Sequence, residues 1–239
     1  MKLTTILFDL DGTLLPMDNE AFTKGYFKLL VTKLVPHGYD AQHLVNAIWA
    51  GTAAMVANDG NQNNESAFWK KFTDIFGEKT ITDKPIFDEF YEKDFQKAKE
   101  FCGLNTDAAI AVHAAKEMGF RVALATNPIF PAYATQSRVR WAGLEPEDFE
   151  LCTTYENIGF CKPNPCYYIE IAKRLGVSPE ECLMVGNDVT EDMVAAETGM
   201  QVFLLTDCII NKEQKDISAY PNGSFSQLMD FIKSQCSES

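Results

Sequence analysis

The sequence predicts an α/β fold: a parallel sheet covered by helices on both faces, with a mostly helical segment inserted into it. Three observations point there. From Thr106 onward, short apolar runs alternate with stretches of helical spacing. A run of the same kind, Ile6 to Leu10, stands near the start. Between the two lie roughly ninety residues of helical pattern, too much helix for a crossover within one sheet.

Taken in order, "ILFDL" is the first strand, ending in two carboxylates one residue apart, Asp9 and Asp11, with Gly12 and Thr13 directly after. "DNEAFTKGYFKLLVTKLV" opens on Asp18 as a cap and spaces Phe22, Tyr26, Leu29, Leu30 and Leu34 along one face. "DAQHLVNAIWAGTAAMVA", "ESAFWKKFTDIFG" and "FDEFYEKDFQKAKEF" have the same spacing, and the turn-forming "NDGNQNN" separates the first two. Residues 16–104 therefore read as an inserted helical domain, and residues 1–15 and 105–239 as one α/β core. In the core, "DAAIAVHAAKEMG" is a helix stopped by Gly119, "FRVALAT" a strand, and "PAYATQSRVRWAG" a helix with Pro131 at its start. "FELCTT" reads as a weak strand. "PNPCYYIEIAKRLG" is a helix opened by Pro165 and closed by Gly176, followed by the capping box Ser178 and Glu181. "CLMVG" is a strand, "TEDMVAAETG" a helix and "QVFLLT" the last strand.

Composition narrows the function. With 46% hydrophobic and 23% charged residues the chain is an ordinary globular protein. Its formal charge of -13 argues against nucleic acid and against anionic membrane surfaces, because long-range steering would be repulsive. The N-terminal apolar stretch is too short for a signal peptide, and the default address is the cytoplasm. Seven scattered cysteines, with no CxxC pair, suggest reduced thiols rather than a zinc or redox centre.

In an open parallel sheet, ligands bind beyond the carboxyl ends of the strands. The residues there are Asp9 and Asp11, then Thr126 and Asn127 after "VALA", then Asn187 and Asp188 after "LMVG", with Asp192 four residues on. Lys162 lies in the loop "GFCKPNP". Carboxylates converging at one sheet end repel unless a cation neutralises them, and oxygen-only ligands suggest magnesium. A carboxylate can also attack phosphorus while a second carboxyl moves protons, and Thr126, Lys162 and backbone N–H groups near Gly12 and Asn127 would then bind phosphoryl oxygens.

"DLDGTLL", "LATN", the lysine of "CKPNP" and "VGNDVTEDMVAAETG" resemble the four ordered motifs of the haloacid dehalogenase-like (HAD) hydrolase superfamily, whose members are mostly magnesium-dependent phosphatases. The resemblance implies a Rossmann-like core and a helical cap that closes over the site and selects a small phosphorylated metabolite. It implies Asp9 as nucleophile and magnesium ligand, and Asp11 as general acid/base whose backbone carbonyl also ligates the metal. Thr126, Asn127 and Lys162 would bind phosphate, Asp188 would complete the metal site, and Asp192 would support it. The sequence departs from many members in having Asn187 between Gly186 and Asp188. A phosphosugar mutase would use the same motifs, whereas a dehalogenase would lack Asp11. A phosphate-sensing module would have its elements in another order. The histidines, Trp49, Trp69 and the phenylalanines of the insertion fit packing roles, and Lys24, Lys28, Lys70 and Lys71 fit solvated helix faces.

Overall fold

The computed structural model describes residues 2–237; residues 1, 238 and 239, at the ends of the expected core segments, lie outside it. Five strands, β1 (Thr5–Phe8), β2 (Arg121–Leu124), β3 (Cys182–Gly186), β4 (Gln201–Leu205) and β5 (Asn222–Gly223), form one sheet in the order β2-β1-β3-β4-β5, every pair parallel. Successive side chains of a strand point to opposite faces, and both faces of this sheet are buried. Ile6, Phe8, Val122, Leu124, Leu183 and Val185 join one apolar cluster, while Leu7, Ala123, Met184 and Leu204 join the other. Burial on both sides explains why the strands read as continuous apolar runs instead of alternating ones.

Between β1 and β2 the chain forms α1 (Asn19–Leu34), α2 (Ala41–Val56), α3 (Asn64–Phe76), α4 (Lys79–Glu92), a 3-10 turn at Asp94–Phe101, and α5 (Thr106–Glu117). Asp18 caps α1 as expected, its carboxylate accepting from the backbone N–H groups of Glu20 and Ala21. The expected helix from Phe87 to Phe101 is divided: α4 begins earlier, at Lys79, and the last turns tighten to 3-10 geometry. Pro85 inside α4 hides the helix in the sequence, since proline is a poor interior residue.

The remaining helices are α6 (Ala132–Trp141), α7 (Pro165–Leu175) and α8 (Phe225–Ser237). Tyr167, Tyr168, Ile171 and Leu175 of α7 cover one face of the sheet; α5, through Ala108 and Val112, and α8, through Leu228 and Ile232, cover the other. "FELCTT" is not a strand, and contributes only a bridge between Leu124 and Cys152. "TEDMVAAETG" forms a 3-10 turn at Met193–Thr198, not an α-helix. Among the described residues, no helix is long and apolar enough to cross a membrane.

Candidate active site

The loops after β1, β2 and β3 meet at the carboxyl end of the sheet. Backbone pairing carries the sheet past its strands, with Asp9 N–H donating to Val185 O and Ala125 N–H to Phe8 O, so Asp9 and Thr126 leave adjacent strands side by side. Gly12 then turns the chain at φ +84°, a left-handed conformation that glycine adopts without steric cost. Its missing Cβ also leaves room for the Asn187 side chain packed against it.

Asp9 is buried and held at both carboxylate oxygens. Lys162 Nζ lies 2.8 Å from Oδ1, and Thr13 Oγ1 lies 3.0 Å from Oδ2. Lys162, whose side chain is 1% exposed, also lies 2.6 Å from Asp192 Oδ1. Burial alone would push the ammonium pKa down, but Asp192 and Asp9 outweigh it and hold the value well above that of an ordinary lysine. Lys162 is therefore a fixed positive charge beneath Asp9.

Asp192, expected to support the metal site, engages Lys162 and the loop after β3. One of its oxygens is taken by Lys162, and the other accepts from the Asp188 N–H at 2.9 Å. It anchors the lysine and the loop. Gly186 allows this, since the Asp192 carboxylate occupies the space a Cβ would fill. Asp188 caps the turn that follows, its Oδ1 accepting from the N–H groups of Thr190 and Glu191 at 2.7 and 2.9 Å.

Asp11 has a partner that the sequence did not suggest. Arg138 of α6, 1% exposed, forms an ion pair with its Oδ2. The guanidinium is seated over the Phe130 ring, 4.5 Å from the centroid, and also donates to Ala134 O at 3.3 Å. Asp11 Oδ1 is buried without a hydrogen-bond partner. Burial raises the Asp11 pKa, Arg138 opposes that rise, and the neighbouring Asp9 adds to it. A sequence signal existed: Arg138 lies on the same helix face as Ala134, Thr135 and Trp141, all buried.

Thr126 is buried, its carbonyl accepting from Thr153 Oγ1 and the Tyr167 hydroxyl, both at 2.7 Å. Asn127 Nδ2 donates to Glu191 Oε2 at 3.1 Å, and its Oδ1 is buried without a partner. Asn187, the departure noted in the sequence, accepts from Thr13 Oγ1 at 3.0 Å and donates to Cys208 O at 2.6 Å, tying the first and third loops together.

These residues form the floor of a cavity of about 290 Å³, lined by Asp9, Asp11, Thr126, Asn127, Asp188 and Glu191, with Asp192 below. The roof is the helical insertion, including Trp49, Trp69, Phe22 and Phe68. Those aromatics therefore do more than pack the insertion, as the sequence suggested: they also face the carboxylates. Lys24, Lys28, Lys70 and Lys71 are exposed, as expected, and none lines this cavity.

A family model for haloacid dehalogenase-like hydrolases matches residues 3–199. The chain belongs to the haloacid dehalogenase-like hydrolase family. Within that family it is 33% identical to YhcW of Bacillus subtilis over 94 residues, 39% of this chain and 41% of that protein. It is 36% identical to the glyceraldehyde 3-phosphate phosphatase of Methanopyrus kandleri over 81 residues, 34% of either chain. The matched stretch covers less than half of either relative. The crystal structure of the 2-haloacid dehalogenase from Pseudomonas syringae pv. tomato has the same fold, with a TM-score of 0.62 at 18% identity over 97% of this chain and 98% of that one.

The floor suits a hard cation. Five acidic side chains (Asp9, Asp11, Asp188, Glu191 and Asp192) gather near two buried cations, Lys162 and Arg138, so acids outnumber bases at the floor. Among the described residues, no group of three acidic, histidine or cysteine side chains is placed to hold a metal ion by itself. Magnesium, which keeps several waters and takes only one or two carboxylates, fits such a donor set.

Proposed function

We propose that the protein hydrolyses small phosphate monoesters through an aspartyl phosphate formed on Asp9, with magnesium as cofactor. The observation that carries this reading is the fixing of the Asp9 carboxylate by Lys162 and Thr13 at the cavity floor, with Asp11 facing the same cavity. Asp9 and Asp188, with the Asp11 backbone carbonyl, would hold the magnesium, which would offset charge on the phosphoryl oxygens and on the floor.

In the first step a carboxylate oxygen of Asp9 attacks phosphorus, the ester P–O bond breaks, and the leaving oxygen takes the proton of the Asp11 carboxyl. In the second, the Asp11 carboxylate accepts a proton from water, whose oxygen attacks the same phosphorus and releases inorganic phosphate from Asp9. Lys162 uses two of its three ammonium donors on Asp9 and Asp192, which leaves one for a phosphoryl oxygen. Thr126 lines the same floor and supplies a hydroxyl donor. The elevated Asp11 pKa favours the protonated form that the first step requires. The helical insertion acts as a cap that excludes bulk water while chemistry proceeds.

The test is hydrolysis of p-nitrophenyl phosphate by the wild type and Asp9→Asn, with magnesium and with excess chelator. Turnover that needs both magnesium and Asp9 supports the reading. Turnover retained by a folded Asp9→Asn variant overturns it.

A further inference from the structure

We propose that the substrate's leaving group is an apolar ring system, such as an aryl alcohol, and not a sugar or a carboxylate-bearing small metabolite; this rests on the phosphatase reading above. Every residue that the insertion contributes to the cavity is uncharged. We define the deep wall as its buried lining residues Phe22, Ile48, Phe68 and Phe87 with the half-buried Trp69, and the core adds Ile129 and Phe130. Of the polar atoms within this wall, Trp69 Nε1 is a buried donor without a hydrogen-bond partner, whereas the hydroxyls of Tyr26, Tyr91 and Thr52 are engaged. The Tyr26 and Tyr91 hydroxyls bond each other at 2.8 Å, and Thr52 Oγ1 donates back to Ile48 O at 3.0 Å.

A sugar seated here would bury several hydroxyls against carbon with the one unpaired donor of Trp69 to meet them, so most would lose their water without gaining a partner. A second anionic group, such as a carboxylate, would need a cation of its own. Lys212 is the one basic side chain among the described lining residues. It is exposed, and together with Asn19, Thr23 and Trp49 it also lines an outer groove, which places it at the rim and not beside the deep wall. The volume, about 290 Å³, is at the small end for ligand pockets and suits one or two rings, not a nucleotide. Aromatic walls meet such rings edge-to-face or offset-stacked, a geometry that apolar rings satisfy and hydrated polyols do not.

The experiment is calorimetric binding of 1-naphthylmethylphosphonate and methylphosphonate to the magnesium-loaded protein, in parallel with kcat/KM for 1-naphthyl phosphate, glyceraldehyde 3-phosphate and 2-phosphoglycolate. The expected result is aryl phosphonate affinity at least about tenfold above that of methylphosphonate, with kcat/KM favouring the naphthyl ester by a similar factor. Trp69, a half-buried residue of the wall, is the position to vary, and Trp69→Ser should narrow both ratios, while Trp49→Ser at the rim should change them less. Aryl phosphonate binding no tighter than methylphosphonate, or a kcat/KM preference for the polar esters, overturns the proposal. No turnover of any ester, with the aryl binding preference intact, counts against the phosphatase reading while supporting the apolar site.

Discussion

Arg138 and Asp11, 127 residues apart in the chain, form an ion pair at the floor of the cavity. The pair fixes one oxygen of the proposed general acid and leaves the other, Oδ1, without a partner. It also sets the balance between burial, which raises the Asp11 pKa, and the positive charge that holds it down.

Replacing Arg138 with Gln removes the group that lowers the Asp11 pKa, so the value rises further. Because the first step needs protonated Asp11, the basic limb of the kcat–pH profile moves to higher pH. The orienting contact is lost as well, and kcat falls by about 100-fold. Arg138→Lys keeps the charge and should leave the limb closer to its wild-type position. A limb that stays in place or moves to lower pH in Arg138→Gln contradicts the assignment.

Lys162→Met should both inactivate and destabilise. It leaves Asp192 buried without its counter-charge, a change that costs about 3–5 kcal/mol when one member of a buried pair is removed. Denaturant unfolding reads that loss. A fully stable variant would mean that Asp192 finds another partner or water.

Asp188 and Asp192 should separate in a magnesium titration. Asp188→Asn raises the half-saturating magnesium concentration more than Asp192→Asn does, because both Asp192 oxygens are already engaged. Asp192→Asn instead lowers kcat, by about 10–100-fold, through a displaced Lys162. Equal magnesium shifts in the two variants would restore Asp192 as a ligand.

Gly12→Ala places a Cβ on a residue at φ +84° and against the Asn187 side chain. The left-handed conformation alone costs about 1–2 kcal/mol for a residue with a Cβ, enough to lower Tm by about 2–8 °C in a chain of this size. An unchanged Tm would show that the turn can rearrange.

The sheet and the floor acids were legible because both depend on local sequence. β1 to β4 are apolar runs buried on two faces, and Asp9, Asp11, Thr126 and Asp188 follow strand ends directly. β5, only two residues and with exposed Asn222 as its first, carries no such pattern, and the 3-10 turn at Met193–Thr198 has the same apolar spacing as a short helix. Arg138 escaped because its helix face marks only that it is buried, while its role is set by a tertiary neighbour, Asp11. The two roles of Trp49 and Trp69, packing and cavity wall, likewise depend on how the insertion folds over the sheet. An aromatic residue looks the same in sequence whether its ring meets another side chain or an empty cavity.

Covalent chemistry at Asp9 underlies the whole proposed reaction. Rapid acid quench of the magnesium-loaded enzyme during turnover of 1-naphthyl phosphate, followed by peptide mass mapping, tests it most directly. The expected result is one phosphoryl group on the peptide containing Asp9, formed and consumed at rates that match turnover. Full turnover with that peptide unmodified at every quench time, or with the phosphoryl group on another residue, would contradict it.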